Sequence, residues 1–301
     1  MPLRIENAID MHCHFGPDTI GGRVEGPPMV INGVDTSQIT ASVTALEAAR
    51  EAWESGHKAI VLKSHSFCSC QVAASMEEAV PGLRVFGGAT TDYGTGGLDP
   101  LTVESALQLG ARIIWLPTVS SRQDAPRHGK RFGGKPGIPV TGDDGEPTAT
   151  VREVFDLVRQ YDAVLATGHT TKEEHYAVAR AFGREGKVLV THAGEEIAGP
   201  HLNAAEAKEL ADLGATIELT AQCCVSVFNM PPKSHKAMAE IIETIGHERC
   251  TLSSDYGWST MVPKPAPGFK DFLEKLWEIG VPEAHLNRMA AANPARLLSL
   301  Q

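Results

Sequence analysis

Several side chains that can bind a metal ion stand at the ends of short apolar runs in this sequence. His12 and His14 end the first run, His169 and His192 stand at the ends of two later runs, and Asp255 stands at the end of the last. Residues i and i+2 of a β-strand point to the same face, so the two histidines of the first run project together. Two imidazoles on one strand, with a third histidine and a carboxylate, make a set of three or four ligands. Such a set suits zinc or a similar divalent ion with one position open for water, whose pKa the ion lowers toward neutrality.

The spacing of apolar residues predicts the elements that hold these side chains. Eight runs are predicted as strands, most of them continuously apolar, as in a parallel sheet covered on both faces: Ala8–His14, Ala59–His65, Arg84–Thr90, Arg112–Thr118, Val164–His169, Lys187–Ala193, Thr216–Cys223 and Cys250–Tyr256. Helical patterns alternate with them over Thr36–Ser55, Gln71–Val80, Pro100–Leu109, Thr148–Tyr161, Lys172–Gly183, Asn203–Leu213, Ser234–Ile245 and Gly268–Ile279. Eight strand–helix units in a chain of 301 residues predict an α/β fold, a (β/α)8 TIM barrel with residues 1–301 as its single domain.

A doubly wound open sheet is the structural alternative. That fold prefers a glycine-rich phosphate-binding turn after its first strand. The corresponding residues here, 12–17, read His-Cys-His-Phe-Gly-Pro and lack that pattern. The barrel is therefore favoured, and in barrels the active site lies at the carboxyl ends of the strands, where the metal-capable side chains stand.

Two connections on that side of the predicted barrel are long enough to act as lids or binding loops. One follows the first strand, Phe15–Asp35, and the other follows the fourth, Val119–Pro147. The second contains Arg122, Arg127 and Arg131, and arginine forks bind carboxylate or phosphate groups with two hydrogen bonds. We expect one or two of these arginines to contact an anionic group of a substrate; the alternative is that they belong to a solvated, mobile loop.

Composition excludes several classes of function. The net charge is −10 and no basic cluster is present, which argues against a nucleic-acid partner. No apolar run reaches the roughly 18 residues of a membrane span, and the first residues lack the shape of a signal peptide. The six cysteines follow no regular framework and are expected to be free thiols. We therefore expect a cytoplasmic protein that binds a small molecule, for which an anionic group is one alternative, and that forms a homo-oligomer.

Taken together, these motifs resemble the amidohydrolase superfamily. The matching segments span nearly the whole chain and occur in the family's order: Asp10–His14, Thr167–His169, Val190–Gly194, Ser253–Gly257 and Asn293–Leu298. The resemblance implies that His12, His14 and His169 are metal ligands. It also implies that Asp255 is a ligand that accepts a proton from the attacking water. His192 would be a ligand of a second metal in a binuclear member, or a catalytic base or carbonyl-polarising group in a mononuclear one.

The fourth strand departs from the family pattern. Binuclear members often have a carboxylated lysine or a glutamate there, whereas residues 112–118 read Arg-Ile-Ile-Trp-Leu-Pro-Thr. Lys63 on the second strand is the nearest substitute, and it shares a face with His65. Lys63 could be carboxylated and bridge two metals, or stay cationic and bind a substrate oxyanion, because burial lowers the pKa of a lysine. His65 is a candidate substrate contact or extra ligand, and Glu218 on the seventh strand could either orient a ligand histidine or pair with a helix.

The resemblance implies a metal-dependent hydrolase that uses metal-activated water on an ester, lactone, amide or cyclic amide of a small molecule. Zinc is the first choice of metal, with manganese or another divalent ion as alternatives, and one or two ions are compatible with the sequence. A second interpretation is a metal-dependent lyase, a non-oxidative decarboxylase or a hydratase acting on an unsaturated or aromatic carboxylic acid. A third is a metal-binding barrel without catalytic activity.

Overall fold

Eight parallel strands form one sheet whose spatial order follows the chain. The computed structural model describes residues 3–5, 7–18, 30–31, 33–36, 39–128, 132–261 and 263–300. The barrel strands are β1 (Ala8–His14), β4 (His57–Lys63), β5 (Arg84–Thr90), β6 (Ile113–Trp115), β7 (Val164–Ala166), β8 (Lys187–Val190), β9 (Thr216–Thr220) and β10 (Cys250–Ser253). The short strands β2 (Val30–Ile31) and β3 (Val34–Asp35) pair with each other in the connection after β1.

The first and last strands meet at their carboxyl ends and nearly close the barrel. The N–H of Asp255 donates to the carbonyl oxygen of His12 at 2.8 Å, and the N–H of His14 donates to that of Tyr256 at 2.9 Å. These two hydrogen bonds bring the end of β10 against the end of β1. Side chains that are about 240 residues apart in sequence therefore meet at one edge of the barrel.

A helix follows each barrel strand and packs on the outside of the sheet. The helices are α1 (Ala45–Glu54), α2 (Cys70–Ala79), α3 (Pro100–Gln108), α4 (Ala149–Gln160), α5 (Lys172–Phe182), α6 (Ala204–Asp212), α7 (His235–Ile245) and α8 (Pro265–Glu278), followed by α9 (Glu283–Asn287), a π-helical turn (Arg288–Ala292) and α10 (Asn293–Leu297). The predicted (β/α)8 barrel is confirmed, because eight parallel strands alternate with eight helices in the expected order.

The largest difference from the predicted elements is the first helix, which begins at Ala45 and not at Thr36. Thr44 caps this helix: its hydroxyl accepts the N–H of Glu47 at 3.2 Å, and the Glu47 carboxylate accepts the N–H of Thr44 at 2.8 Å. This reciprocal pair satisfies backbone donors at a helix start and fixes the start there. Upstream, Ala41 is extended and bridges Trp258.

The core has an inner and an outer layer, as expected for a barrel with packed walls. Inside the sheet, Ile9, Met11, Val61, Ile113 and Trp115 belong to one buried cluster. Between the sheet and its helices, a larger buried cluster includes other residues of the barrel strands, among them Ile114, Leu165, Val188, Ile217 and Leu252. This alternation decides which strand residues can reach the mouth of the barrel.

A β-bulge interrupts the alternation in β1. Asp10 pairs with Ile60 and Cys13 pairs with Leu62, so a three-residue step on β1 faces a two-residue step on β4. The extra residue bends the strand and changes the face on which later side chains project. The oxygen Oδ1 of Asp10 accepts the N–H of His12 at 3.1 Å and that of Ser254 at 2.9 Å, which holds the bulge against the end of β10.

Because of the bulge, both apolar side chains and histidines of β1 point to the inside of the barrel. Ile9, before the bulge, and Met11, within it, pack in the inner core, whereas Cys13 at its end packs in the outer cluster that includes α1. His12 and His14 therefore face inward, above the apolar inner layer. Within the described ranges, no helix has the length and apolar character needed to cross a membrane.

Candidate metal centre

Two histidines of β1 and an aspartate after β10 form a compact cluster at the carboxyl end of the barrel. Nε2 of His12 lies 2.9 Å from Oδ1 of Asp255, and Nε2 of His14 lies 3.2 Å from the same oxygen. All three residues are buried, with potential ligand atoms within 4.8 Å of one another. Across the part of the chain that the structure describes, this is the only group of three histidine, cysteine or acidic residues with such spacing. The structure thus brings together three of the residues that the sequence singled out.

The backbone at two site residues adopts the left-handed conformation. The φ angle is +28° at His192 and +55° at Asp255, a region that costs residues other than glycine roughly 1–3 kcal/mol. Hydrogen bonds from both peptides hold it: Asp255 N–H donates to His12, as described, and His192 N–H donates to Oε2 of Glu218 at 3.0 Å. These contacts fix the direction in which both side chains leave their strand ends.

Lys63, the last residue of β4, is fully buried beside the cluster. Its Nζ lies 2.9 Å from Nε2 of His12 and 5.5 Å from the centroid of the Trp115 ring. Burial lowers the pKa of Lys63, and Asp255 is the first of several carboxylates that oppose this shift. The site therefore contains an amine directly next to a candidate metal ligand.

Two carboxylates face the two nitrogens of His12. Glu218 Oε2 lies 3.2 Å from Nδ1, and Asp255 lies at Nε2 as described above. Burial lowers the pKa of His12 and Lys63 opposes its protonation, but Asp255 and Glu218 outweigh both and raise the pKa to about 9. The His12 ring is therefore held between two carboxylates, one at each nitrogen. The sequence allowed two partners for Glu218, a ligand histidine or a helix. In the structure Glu218 contacts a histidine, His12.

His169, three residues beyond β7, points into the same region. Its ring centroid lies 5.0 Å from that of His192, which in turn lies 5.8 Å from that of His12. The buried Nδ1 of His192 has no hydrogen-bond partner among the described residues. Nδ1 of His169, in contrast, lies 3.0 Å from Oδ2 of Asp124, which belongs to the connection after β6.

His65 also faces this group of histidines. Its ring centroid lies 5.0 Å from that of His14 and 5.5 Å from that of His169. Its Nδ1 lies 2.7 Å from Oγ1 of Thr118, a residue whose N–H donates to Asp92. His65 therefore lies among the histidines that line the cavity.

A cavity of about 100 Å³ lies against the cluster and is lined by His14, Lys63, His65, His169, His192 and Asp255. Apolar side chains form much of the remaining wall, among them Ile31, Ile39, Val119, Ile197, Phe228, Trp258 and Met261. Glu195 and Gln222 also line it, and the buried Oε1 of Gln222 has no partner among the described residues. The cavity combines a polar floor with apolar walls, which is typical of small-molecule sites.

Two of the three arginines predicted to bind substrate, Arg122 and Arg127, do not line the cavity. Arg122 is directed toward α5, with its guanidinium 3.7 Å from Glu174, and it donates to the carbonyl of Thr141 at 3.0 Å. Arg127 pairs with Asp124 at 3.2 Å and donates to the carbonyl of Ile197. Each of the two pairs with a buried carboxylate, and of these two carboxylates Asp124 lines the cavity. Arg131 lies outside the described residues.

Sequence reasoning missed Asp124. It is 4% exposed and lies between His169 and His128, whose Nε2 is 3.3 Å from Oδ2. Burial raises the pKa of Asp124, but the hydrogen bonds with His128 and His169 outweigh burial and hold the pKa well below its usual range. No strand periodicity marks this residue. Its separation of four residues from His128 was the one local signal.

The donor set of the cluster fits a divalent cation. Two imidazole nitrogens and a carboxylate oxygen are ligands that zinc and manganese both accept. Nδ1 of His12 faces Glu218, which leaves Nε2 of His12 as the ligand atom. Nδ1 of His192, which has no hydrogen-bond partner among the described residues, is a further nitrogen nearby that could bind the ion. His12, His14 and Asp255 would hold the ion, with His169 and His192 beside them.

Several solved structures share this fold across almost the whole chain. A probable dipeptidase from Pseudomonas aeruginosa aligns over 98% of this chain and 95% of its own, at 12% identity and a TM-score of 0.64. An amidohydrolase from the same species aligns over 97% and 95%, at 12% identity and 0.58. A dihydroxybenzoic acid decarboxylase from Polaromonas, solved with manganese and the inhibitor 2-nitroresorcinol, aligns over 98% and 97%, at 10% identity and 0.56.

These likenesses establish the fold. They show that this chain shares its barrel fold with an amidohydrolase, a probable dipeptidase and a decarboxylase. A comparison with curated proteins found no match. Residues 7–218 match a family described as a family of unknown function (DUF6282), and this chain belongs to that family.

Proposed function

We propose that this protein is a metal-dependent hydrolase that cleaves an ester, lactone, amide or cyclic amide bond of a small molecule. The observation that supports this most strongly is the buried His12–His14–Asp255 cluster against a cavity at the carboxyl end of the barrel. In barrel enzymes this end carries the active site. We propose one divalent ion, zinc before manganese, held by His12, His14 and Asp255, with His169 as a further ligand.

When bound, such an ion lowers the pKa of a water molecule and polarises the carbonyl oxygen of the substrate. The chain's own residues supply proton transfer and orientation. Asp255 has its carboxylate at the ligand position and accepts the proton of the attacking water, then returns it to the leaving group. Lys63 Nζ and the His192 ring face the same space, where they stabilise negative charge that develops on the carbonyl oxygen.

The walls of the cavity support a small and largely apolar substrate. Trp258 packs on His14 with ring centroids 4.9 Å apart, which sets one wall directly beside the cluster. Within the described part of the cavity lining, Lys63 is the only lysine or arginine. We therefore propose a substrate with one polar reacting group directed at the cluster and an apolar body toward Trp258.

A metal-dependent lyase is the second candidate. The observation that favours it is that, within the described ranges, there is one His-His-Asp cluster, while β6 contributes no carboxylate or lysine to bridge a second ion. A mononuclear site with a nearby amine also suits removal of carbon dioxide from an aromatic acid, since Lys63 would bind the carboxylate. His65 would then be a substrate contact.

One experiment separates these candidates. Protein reconstituted with zinc or manganese is assayed on a panel of esters, lactones and cyclic amides and on a panel of ring-carboxylic acids, beside Asp255→Asn and the exposed control Asp143→Asn. Bond cleavage in the first panel, lost in Asp255→Asn and kept in the control, supports the hydrolase. Release of carbon dioxide from the second panel without cleavage in the first supports the lyase. Absence of metal binding contradicts both.

A further inference from the structure

The connection after β6 sends one carboxylate into the site. Asp124 lines the cavity although it belongs to neither a strand nor a helix, and its Oδ2 lies 3.0 Å from Nδ1 of His169. The same oxygen lies 3.3 Å from Nε2 of His128, which is 4% exposed. Strand β6 itself contributes no metal-capable side chain. The loop that follows it provides, among the described residues, the one carboxylate within hydrogen-bond distance of His169.

A clamp between two loops holds Asp124 in this position. Arg127 pairs with Asp124 and donates to the carbonyl of Ile197, in the loop after β8. Gln123 donates through Nε2 to the carbonyl of Gly199 at 2.9 Å in that same loop. The loops after β6 and β8 are thereby joined over the end of β7, from which His169 projects. The N–H of Asp124 also donates to the hydroxyl of Ser121 at 2.9 Å, so both the backbone and the side chain of Asp124 are fixed.

We infer that Asp124 is a positioning residue for His169, which it holds with the ring proton on Nδ1 and with Nε2 directed into the cavity. This inference rests on the proposed function in that it gives His169 the role of a metal ligand. A carboxylate accepts and cannot donate a hydrogen bond, so at 3.0 Å it selects the tautomer with a proton on Nδ1. The lone pair of Nε2 is then free for a cation, and the carboxylate makes the imidazole a more basic ligand.

The neighbours of Asp124 support this role. His128 approaches Oδ2 and Arg127 approaches Oδ1, so each carboxylate oxygen has a donor in addition to its fixed backbone. These two contacts keep the Asp124 carboxylate oriented so that Oδ2 can accept the Nδ1 proton of His169. Removing the charge with an isosteric amide should therefore change the properties of His169 and leave the loop clamp in place, because Arg127 and Gln123 keep their contacts with the loop after β8.

Two variants and two readouts test the inference. Asp124→Asn removes the charge at nearly constant volume, and Asp143→Asn is the matched control in the same connection, where residue 143 is exposed. Zinc affinity is measured by competition with a chromophoric chelator, and zinc content per chain is measured on the same samples. The ring proton of His169 is located by long-range ¹H–¹⁵N correlation in metal-free protein, with the signal assigned by its absence in His169→Gln.

The inference requires the His169 proton on Nδ1 in the unsubstituted chain and a loss of zinc affinity of about 10- to 100-fold in Asp124→Asn, with stoichiometry unchanged. The control should keep the affinity of the unsubstituted chain. Equal affinity in Asp124→Asn and the unsubstituted chain overturns the inference and leaves the proposed function standing. Loss of a full equivalent of zinc also overturns it, since Asp124 would then be a ligand itself.

The failure of the proposed function gives a different result. If the unsubstituted chain binds no divalent ion at all, the proposed function fails. The tautomer of His169 in the same protein still tests whether Asp124 positions His169. A proton found on Nε2 in the unsubstituted chain contradicts that role independently of any metal. If Asp124→Asn does not fold, the tautomer measurement on the unsubstituted chain carries the decision alone.

Discussion

Oε2 of Glu218 lies 3.2 Å from Nδ1 of His12 and accepts the backbone N–H of His192 at 3.0 Å. One carboxylate oxygen in β9 thus connects strand β1 with His192, two residues beyond the end of β8. Glu218 is 1% exposed, and its other oxygen has no hydrogen-bond partner among the described residues. Burying a carboxylate with so few hydrogen-bond partners lowers the stability of the fold. Its contacts with His12 and His192 indicate that Glu218 contributes to the site.

Glu218→Gln should weaken metal binding by about 10- to 100-fold, because the carboxylate fixes the ring of His12 and increases the basicity of its Nε2. The backbone bond to His192 can be kept by the amide oxygen, so the fold should persist. Zinc affinity measured by chelator competition, with circular dichroism on the same samples, checks this. Glu240→Gln, at an exposed position on α7, is the control and should bind as the unsubstituted chain does. An unchanged zinc affinity in Glu218→Gln would mean that Glu218 has a structural role in β9 and does not affect metal binding.

The fold was predictable because the barrel repeats one simple pattern. Continuous apolar runs, each followed by an amphipathic helix, predict a parallel sheet, and the strand ends then predict where the site lies. The rule that i and i+2 share a face correctly paired His12 with His14. The same rule, counted back along β1, would put Met11 on the outer face, whereas Met11 packs in the inner core because the bulge between Asp10 and Cys13 inserts one residue.

The loops could not be predicted in the same way. Asp124 reaches His169 through a connection whose course depends on contacts with Ile197 and Gly199, about 70 residues later. No periodic pattern encodes such contacts. The same limit applies to Arg122 and Arg127. Their residue type suits a substrate anion, but in the structure they pair with the buried carboxylates of Glu174 and Asp124.

Gly168, directly before His169, should tolerate no side chain. Its φ is +67°, and a Cβ atom there would lie 2.2 Å from the carbonyl oxygen of Leu116 and 2.6 Å from that of Pro117, both on backbone. Gly168→Ala should therefore lower the free energy of unfolding by about 2–4 kcal/mol, through steric overlap and backbone strain. Denaturant unfolding followed by circular dichroism measures this value.

Gly145→Ala is the matched control for that substitution. Gly145 has a similar φ of +76°, and a Cβ atom added there would meet no described atom within 4 Å. Gly145→Ala should lower the free energy of unfolding by only about 1 kcal/mol, because the left-handed backbone is its only source of strain. Equal losses in the two variants would show that the close approach to Leu116 relaxes at little cost.

His57 should make the protein less stable in mild acid. Its Nδ1 contacts the carbonyl of Ala52 at 3.2 Å, and its buried Nε2 has no partner among the described residues. Burial lowers the pKa of His57 from 6.5 to about 4, with the hydrogen bond to Ala52 opposing this. Between these two pH values the unfolded chain binds a proton that the folded chain does not. The free energy of unfolding therefore falls as the pH drops from 6.5 toward 4, at about 1.4 kcal/mol per pH unit for this residue.

The check is denaturant unfolding at several pH values between roughly 7.5 and 4, a range chosen to bracket the two pKa values. His57→Gln should remove about 3 kcal/mol of the pH-dependent loss over the window. His201→Gln, at a side chain that is 63% exposed, should leave the pH dependence unchanged. A slope in His57→Gln identical to that of the unsubstituted chain would show that His57 becomes protonated without unfolding.

Lys63→Met should leave one equivalent of metal per chain and abolish turnover. Nζ of Lys63 lies beside Nε2 of His12, where an ammonium group competes with a cation, so its removal should not reduce metal content. Methionine keeps the buried volume against Trp115 and removes the amine that would stabilise negative charge on the substrate. Metal content is measured on protein purified without chelator, and Lys270→Met, on a side chain that is 68% exposed, is the control. Two equivalents in the unsubstituted chain that fall to one or none in Lys63→Met would contradict this. That result would instead identify Lys63 as a carboxylated bridge between two ions, and it would strengthen the case for hydrolysis over the lyase.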